Sequence, residues 1–176
     1  ILGLITIFKK TLAPYTLFGY ALLKGLALGG ISRAFEIQYP GIAGQAIFLT
    51  FGILAALLLA YKSKLIKPTE NFKLGLFAAM GGIFILYIIS FFMSIFGSGM
   101  SLLNPNNSSM LSIGISFFIM IIASLNLVLD FDFIEEGAEQ GAPKYMEWYG
   151  AFSLLVTLIW LYIAILRLLA QLQSRR

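Results

Sequence analysis

The sequence predicts an all-α, polytopic transmembrane helical bundle, and three observations predict it. Hydrophobic residues fill 60% of the 176 positions and charged residues only 11%, whereas an ordinary soluble domain is roughly a quarter charged. Five stretches reach the ~20 predominantly apolar residues that a spanning helix needs: Tyr15–Phe35, Ile42–Tyr61, Leu74–Phe96, Leu111–Phe133 and Tyr149–Leu169. The segments between them are short and carry either charge or turn residues, so no soluble domain interrupts the series. A single transmembrane domain over residues 1–176 is expected.

The elements follow in order. Ile1–Phe8 is apolar but too short to cross a bilayer. It reads as the end of a helix whose start is missing, which leaves the domain incomplete at its N-terminus. A signal peptide does not fit, because Lys9 and Lys10 follow the apolar run instead of preceding it. The first two full spans are joined by Glu36-Ile37-Gln38-Tyr39-Pro40-Gly41. Pro40 lacks a backbone donor and Gly41 frees the turn, so this connection is a tight reversal. The next, Lys62 to Lys73, is lysine-rich, and Gly97 to Ser109 carries no charge. Counting sides, Lys9, Lys10, Lys62, Lys64, Lys67, Lys73 and Lys144 collect on one face and Arg33, Arg167, Arg175 and Arg176 on the other. Positive charge favours the cytoplasmic side, which assigns the lysine face to the cytoplasm. No internal repeat supports the inverted-repeat plan of many transporters.

Small residues recur at helical spacing: Ala21, Gly25 and Gly29; Gly52, Ala56 and Ala60; Gly75 and Ala79; Gly150 and Ser153. Such faces let backbones approach, so they are expected to pack within the bundle. Tyr20, Phe48, Phe84 and Trp160 are expected to face lipid or core.

Composition excludes several function classes. A formal charge of +4 without a dense basic stripe argues against nucleic acid as a partner. The absence of cysteine and histidine removes disulfides, thiolate nucleophiles and the commonest zinc ligands; no metal site and no cofactor is expected. An enzyme is not expected either. Serine hydrolysis wants a base such as histidine, and an aspartyl pair needs carboxylates from two helices, which the other apolar spans do not supply.

The densest polar signal runs from Asn126 to Gly141. Asn126 and Asp130 stand four apart and share a helix face, which Ala123, Ser116 and Ser112 continue as a candidate polar path. Asp132, Glu135, Glu136 and Glu139 follow at i, i+3, i+4 and i+7, opposite Phe131, Ile134 and Ala138. They form an acidic segment whose plain reading is a solvated face on the cytoplasmic side. Asp130 sits where the apolar run ends, so its carboxylate is partly desolvated and calls for a partner. That role is either structural, in a cap or an ion pair with Lys144, or functional. Lys24 lies nine residues inside its span, roughly 13 Å along a helix rising 1.5 Å per residue. It must be neutral, paired or beside a wet cavity, with Gln45 and Asn126 at comparable depth.

Asn126 to Leu169, including Leu129-Asp130-Phe131-Asp132-Phe133-Ile134-Glu135 and Tyr145-Met146-Glu147-Trp148-Tyr149-Gly150-Ala151-Phe152, resembles the YccA-like bacterial branch of the Bax inhibitor-1 family. Ile5-Thr6-Ile7-Phe8-Lys9, Tyr20 to Leu26, Tyr39-Pro40-Gly41-Ile42 and Ala60-Tyr61-Lys62-Ser63 are similar to it in the same order. The resemblance implies seven helices, of which this chain would carry five full spans plus the stub, and placement in the bacterial inner membrane.

The resemblance further implies a pH-sensitive leak for calcium or protons linked to stress, with Asp130 and Asn126 in pH sensing and gating. Depth and helical spacing, apart from the resemblance, put Lys24, Gln45 and Ser116 on the polar path. Its alternative is a non-conducting protein that binds other membrane proteins, such as a membrane-bound protease. The family's gate is a pair of aspartates on the last two helices. Counting from Ala138-Glu139-x-Gly141, Asp130 matches the first, while Leu155 stands at the second. Lys24 stands where the branch commonly carries an acid. Both departures remove negative charge from a cation's path, and a charge near mid-bilayer at Lys24 would oppose a cation.

Overall fold

A computed structural model describes residues 2–96 and 109–175, and the uncharged connection expected at Gly97 to Ser109 falls outside them except for Ser109 itself. The described chain is all helical. Helix α1 (Leu2–Phe8) and a single 3-10 turn (Lys10–Leu12) precede α2 (Ala13–Gln38), α3 (Ile42–Lys62), α4 (Glu70–Ile95), α5 (Met110–Glu139) and α6 (Tyr145–Ser174). By length and composition α3, α4, α5 and α6 can each cross a membrane. Five full spans were expected, and α2 is the difference. It is long enough at 26 residues, but Lys24 and Arg33 within it lower its apolar character below that of the other four.

Each boundary has a local cause. Pro14 opens α2, where its missing N–H would be unpaired in any case. The Thr69 side chain caps α4 by accepting the Phe72 N–H at 3.2 Å, and Ser109 caps α5 by accepting from Ser112 at 3.2 Å. Past α5 the chain turns at Gly141, whose φ of 62° suits glycine.

The reversal between α2 and α3 is tied by a carboxylate. Gly41 adopts φ 86°, and Glu36 accepts the Gly41 N–H at 2.6 Å and the Ala43 N–H at 3.0 Å. It thereby satisfies open donors at the start of α3 and meets the positive end of that helix. The Gly41 bond first and the Ala43 bond second hold this carboxyl below its ordinary value. A folded-state pKa below the unfolded one gives stability that is complete above the ordinary carboxylate range and lost as pH falls through the folded value. Glu36→Gln is therefore expected to lower the melting temperature in micelles at pH 7, with a gap from the parent that closes on acidification below about pH 4. A gap that stays constant with pH would disprove the charge contribution.

The interior is built on α6. Its buried side chains run from Gly150 to Gln171, and α5 buries a matching series from Ser112 to Phe131. One core cluster joins Ile42 and Ala46 of α3 to Ala123 and Leu127 of α5 and to Leu161, Ile165 and Leu166 of α6. A second joins Leu76 and Ile83 of α4 to Ile119 and Ile122 of α5 and Ala164 of α6. Helix α2 reaches α6 through Ser32, whose hydroxyl lies 2.7 Å from that of Tyr162. Ser32 gives its own proton to the Leu28 carbonyl at 2.6 Å, so Tyr162 is the donor between them.

The outer faces are apolar. Phe48 is 81% exposed and Phe84 65%, as lipid-facing aromatics should be, whereas Trp160 packs against both core clusters. Half of the small residues also turn outward: Gly25, Gly29, Gly52, Ala56 and Gly75 are exposed. A Cβ added at Gly25, Gly29, Gly52 or Gly75 would meet nothing within 4 Å, so these glycines do not pack within the bundle as expected, whereas Ala79 packs against the second core cluster. Lipid is as apolar as the core, so no solvent force drives small residues inward. Gly150 does pack, against Ile134 of α5.

Candidate functional site

Two pairs of polar residues face one another across the α5–α6 contact. On α5, Asn126 and Asp130 share a face one turn apart; on α6, Ser153 and Thr157 do the same. The Ser153 hydroxyl donates to Asp130 Oδ1 at 2.5 Å. Asn126 Nδ2 donates to Thr157 Oγ1 at 2.9 Å. These two separate hydrogen bonds, one turn apart, tie α5 to α6. Asp130 is 5% exposed and Thr157 4%, and Asp130 Oδ2 is enclosed without a hydrogen bond of normal geometry. Asp130 is thus held by the Ser153 hydroxyl of α6, not by an ion pair with Lys144.

Ser153 entered the sequence reading only as a small residue, and Thr157 did not enter it. Their four-residue spacing, the mirror of Asn126 and Asp130, is the signal that could have revealed them.

The remaining candidates fall elsewhere. Ser116 is buried on α5 with its hydroxyl unpaired, one turn from Ser112, which accepts from Gln171 Nε2 at 2.8 Å. This second polar layer lies ten residues from Asn126, about 15 Å along the helix. Buried Ile119, Ala123, Leu161 and Ile165 occupy the interval. The stripe expected as a polar path is therefore two separate clusters with an apolar plug between them. Lys24 and Gln45 are exposed on α2 and α3, outside both clusters. The Lys24 ammonium lies 5.8 Å from the centre of the Tyr20 ring, a cation–π arrangement.

The acidic segment divides. Asp132 pairs with Lys73 of α4 at 2.7 Å, and Glu135 accepts the Tyr61 hydroxyl of α3. These two acids tie α5 to its neighbours. Glu136 accepts from Gln140 Nε2 at 3.0 Å on its own helix, and Glu139 is exposed. Among the described residues no three acids converge where a metal ion could sit.

Neither the curated proteins nor the solved structures contain a match to this chain. The sequence profile of the family described as Bax inhibitor 1 like does match, over residues 1–174, so the chain belongs to the Bax inhibitor 1 like family and is a membrane protein.

Proposed function

We propose that this protein is a slow, pH-responsive cation leak, for calcium or protons, in which Asp130 is the gate residue. The observation that carries the reading is the carboxylate enclosed between α5 and α6 and held by Ser153. Hydrogen bonds to an ionised carboxylate are roughly twice as strong as neutral ones. Protonation of Asp130 weakens that hold, frees α5 to move against α6 and gives water access to the plug between the two polar layers. Leu155 supplies no second carboxylate, so the response follows one proton instead of the split titration of a coupled pair. The lysine-rich end faces the cytoplasm, and the family branch points to a bacterial inner membrane.

The second reading, a non-conducting protein that modulates a membrane-bound protease or another membrane protein, is favoured by Leu155 and by the apolar plug. Calcium entry into liposomes decides between them. The parent is expected to admit calcium faster on acidification along a single-proton curve, and Asp130→Asn to lose that pH response. A pH response unchanged in Asp130→Asn removes the residue from the gate. Zero flux in every variant leaves the interaction reading.

A further inference from the structure

Beyond the α5–α6 site lies a cleft of about 860 Å³ at the lysine-rich end of the bundle. Its apolar walls come from Leu54 and Leu58 of α3 and from Phe131 and Ile134 of α5, and it is also lined by Lys62 at the end of α3 and by Lys64 and Lys67 of the α3–α4 connection. We propose that this cleft binds an anionic phospholipid of the surrounding leaflet, with an acyl chain along the apolar walls and the phosphate among the three lysines.

The charges in the cleft support an anion. Its two acids are engaged, Asp132 with Lys73 at 2.7 Å and Glu135 with the Tyr61 hydroxyl. Lys62, Lys64 and Lys67 are exposed, and none has an ion pair among the described residues. Among the residues lining the cleft, three lysines oppose two acids, and both acids are already engaged. The cleft also reaches Thr69, the N-cap of α4, so the positive end of that helix dipole adds to the field.

A second observation is the backbone of Lys64. Helix α3 ends in a turn in which Leu65 N–H bonds the Ala60 carbonyl at 3.0 Å, and Lys64 sits at φ 58°. This is the left-handed position that glycine normally occupies after a helix. Among the described residues Lys64 is the one non-glycine with positive φ. A lysine tolerated there, at a cost in backbone strain, points to a use for its side chain.

The pairing of an apolar wall with a cationic rim selects a lipid over a soluble anion. A free phosphate would leave Leu54 and Leu58 wet, whereas an acyl chain covers them. Lysines at this level keep their stems along apolar surface and raise their ammonium groups to the headgroups, each contributing roughly fivefold in affinity for an anionic surface.

The test uses the full chain in neutral detergent micelles, titrated with phosphatidylglycerol or phosphatidylcholine, with bound lipid counted by native mass spectrometry. The parent should retain phosphatidylglycerol in preference to phosphatidylcholine. The triple variant Lys62→Gln, Lys64→Gln, Lys67→Gln should lose about a hundredfold of its phosphatidylglycerol affinity. Lys64→Gly alone should lose about fivefold while melting no lower than the parent, which separates binding from folding. Lys9→Gln with Lys10→Gln changes charge at the same end of the bundle and should bind as the parent does. The proposal is overturned if the parent shows no preference, if the triple variant binds like the parent or if the Lys9 and Lys10 pair loses as much. Full competition by millimolar glycerol phosphate also overturns it, because the ligand would then be a soluble anion.

Discussion

Gly150→Val is expected to destabilise the bundle by about 2–3 kcal/mol, the upper part of the range for overpacking a tight contact. A Cβ at position 150 would lie 2.8 Å from Ile134 Cγ1 and 3.6 Å from its Cδ1, well inside normal carbon contact. Ile134 is 42% exposed, so it has room to swing aside for a single methyl. Gly150→Ala should therefore cost less, about 1 kcal/mol. Valine adds two γ-methyls that are nearly fixed in one rotamer on a helix, and one of them must push α5 away. Denaturant unfolding in micelles measures both losses. Adding Ile134→Ala should restore most of the stability of Gly150→Val. If valine at 150 is neutral, or if trimming Ile134 restores nothing, the close α5–α6 approach is not at this glycine.

Ser153→Ala is expected to cost about 1.5–3 kcal/mol, the range for a hydrogen bond to a charged group. The loss is large because Asp130 stays enclosed after its donor at 2.5 Å is gone. Asp130→Asn keeps the shape without the charge, so the Ser153→Ala change made on top of it should cost under about 1 kcal/mol. That difference is the coupling of the pair, read directly from a double-mutant cycle. Additive losses would mean that Ser153 and Asp130 act independently, and the gate reading would lose its latch. On that reading Ser153→Ala should also leak calcium at neutral pH, where the parent is closed.

The number and type of the helices were legible because apolar runs of spanning length have few other uses. Pro40 and Gly41 marked the reversal between α2 and α3. Asn126 and Asp130 stood out because polar residues are rare within such runs. Their partners were harder to read. Ser153 and Thr157 are small hydroxyls whose intrahelical alternatives cost little, so they carry no mark of a tertiary role. Which helix faces which is also weakly encoded where lipid and core are equally apolar. That is why the outward turn of Gly25, Gly52 and Gly75 was not legible, and why the polar stripe of α5 read as continuous. Lys24 was conspicuous by depth alone, and depth does not say whether a side chain points to the axis of the bundle or away from it.

The central place of α6 also bears on how the chain is made. Tyr162 completes the contact with Ser32, and 130 positions separate the two. At the usual 5–20 residues per second of synthesis, this interval lasts roughly 6–26 s. For that time α2 and α3 have left the ribosome while the helix they pack against does not yet exist. The Ser32 hydroxyl is provided for during the wait, because its proton already rests on the Leu28 carbonyl of its own helix. The unclaimed apolar flanks of α3 are not, and they must be held by lipid or by the insertion machinery. Assembly of this bundle is consequently a late event in translation, and the early helices pass through a window in which membrane quality control can reach them before their partner arrives.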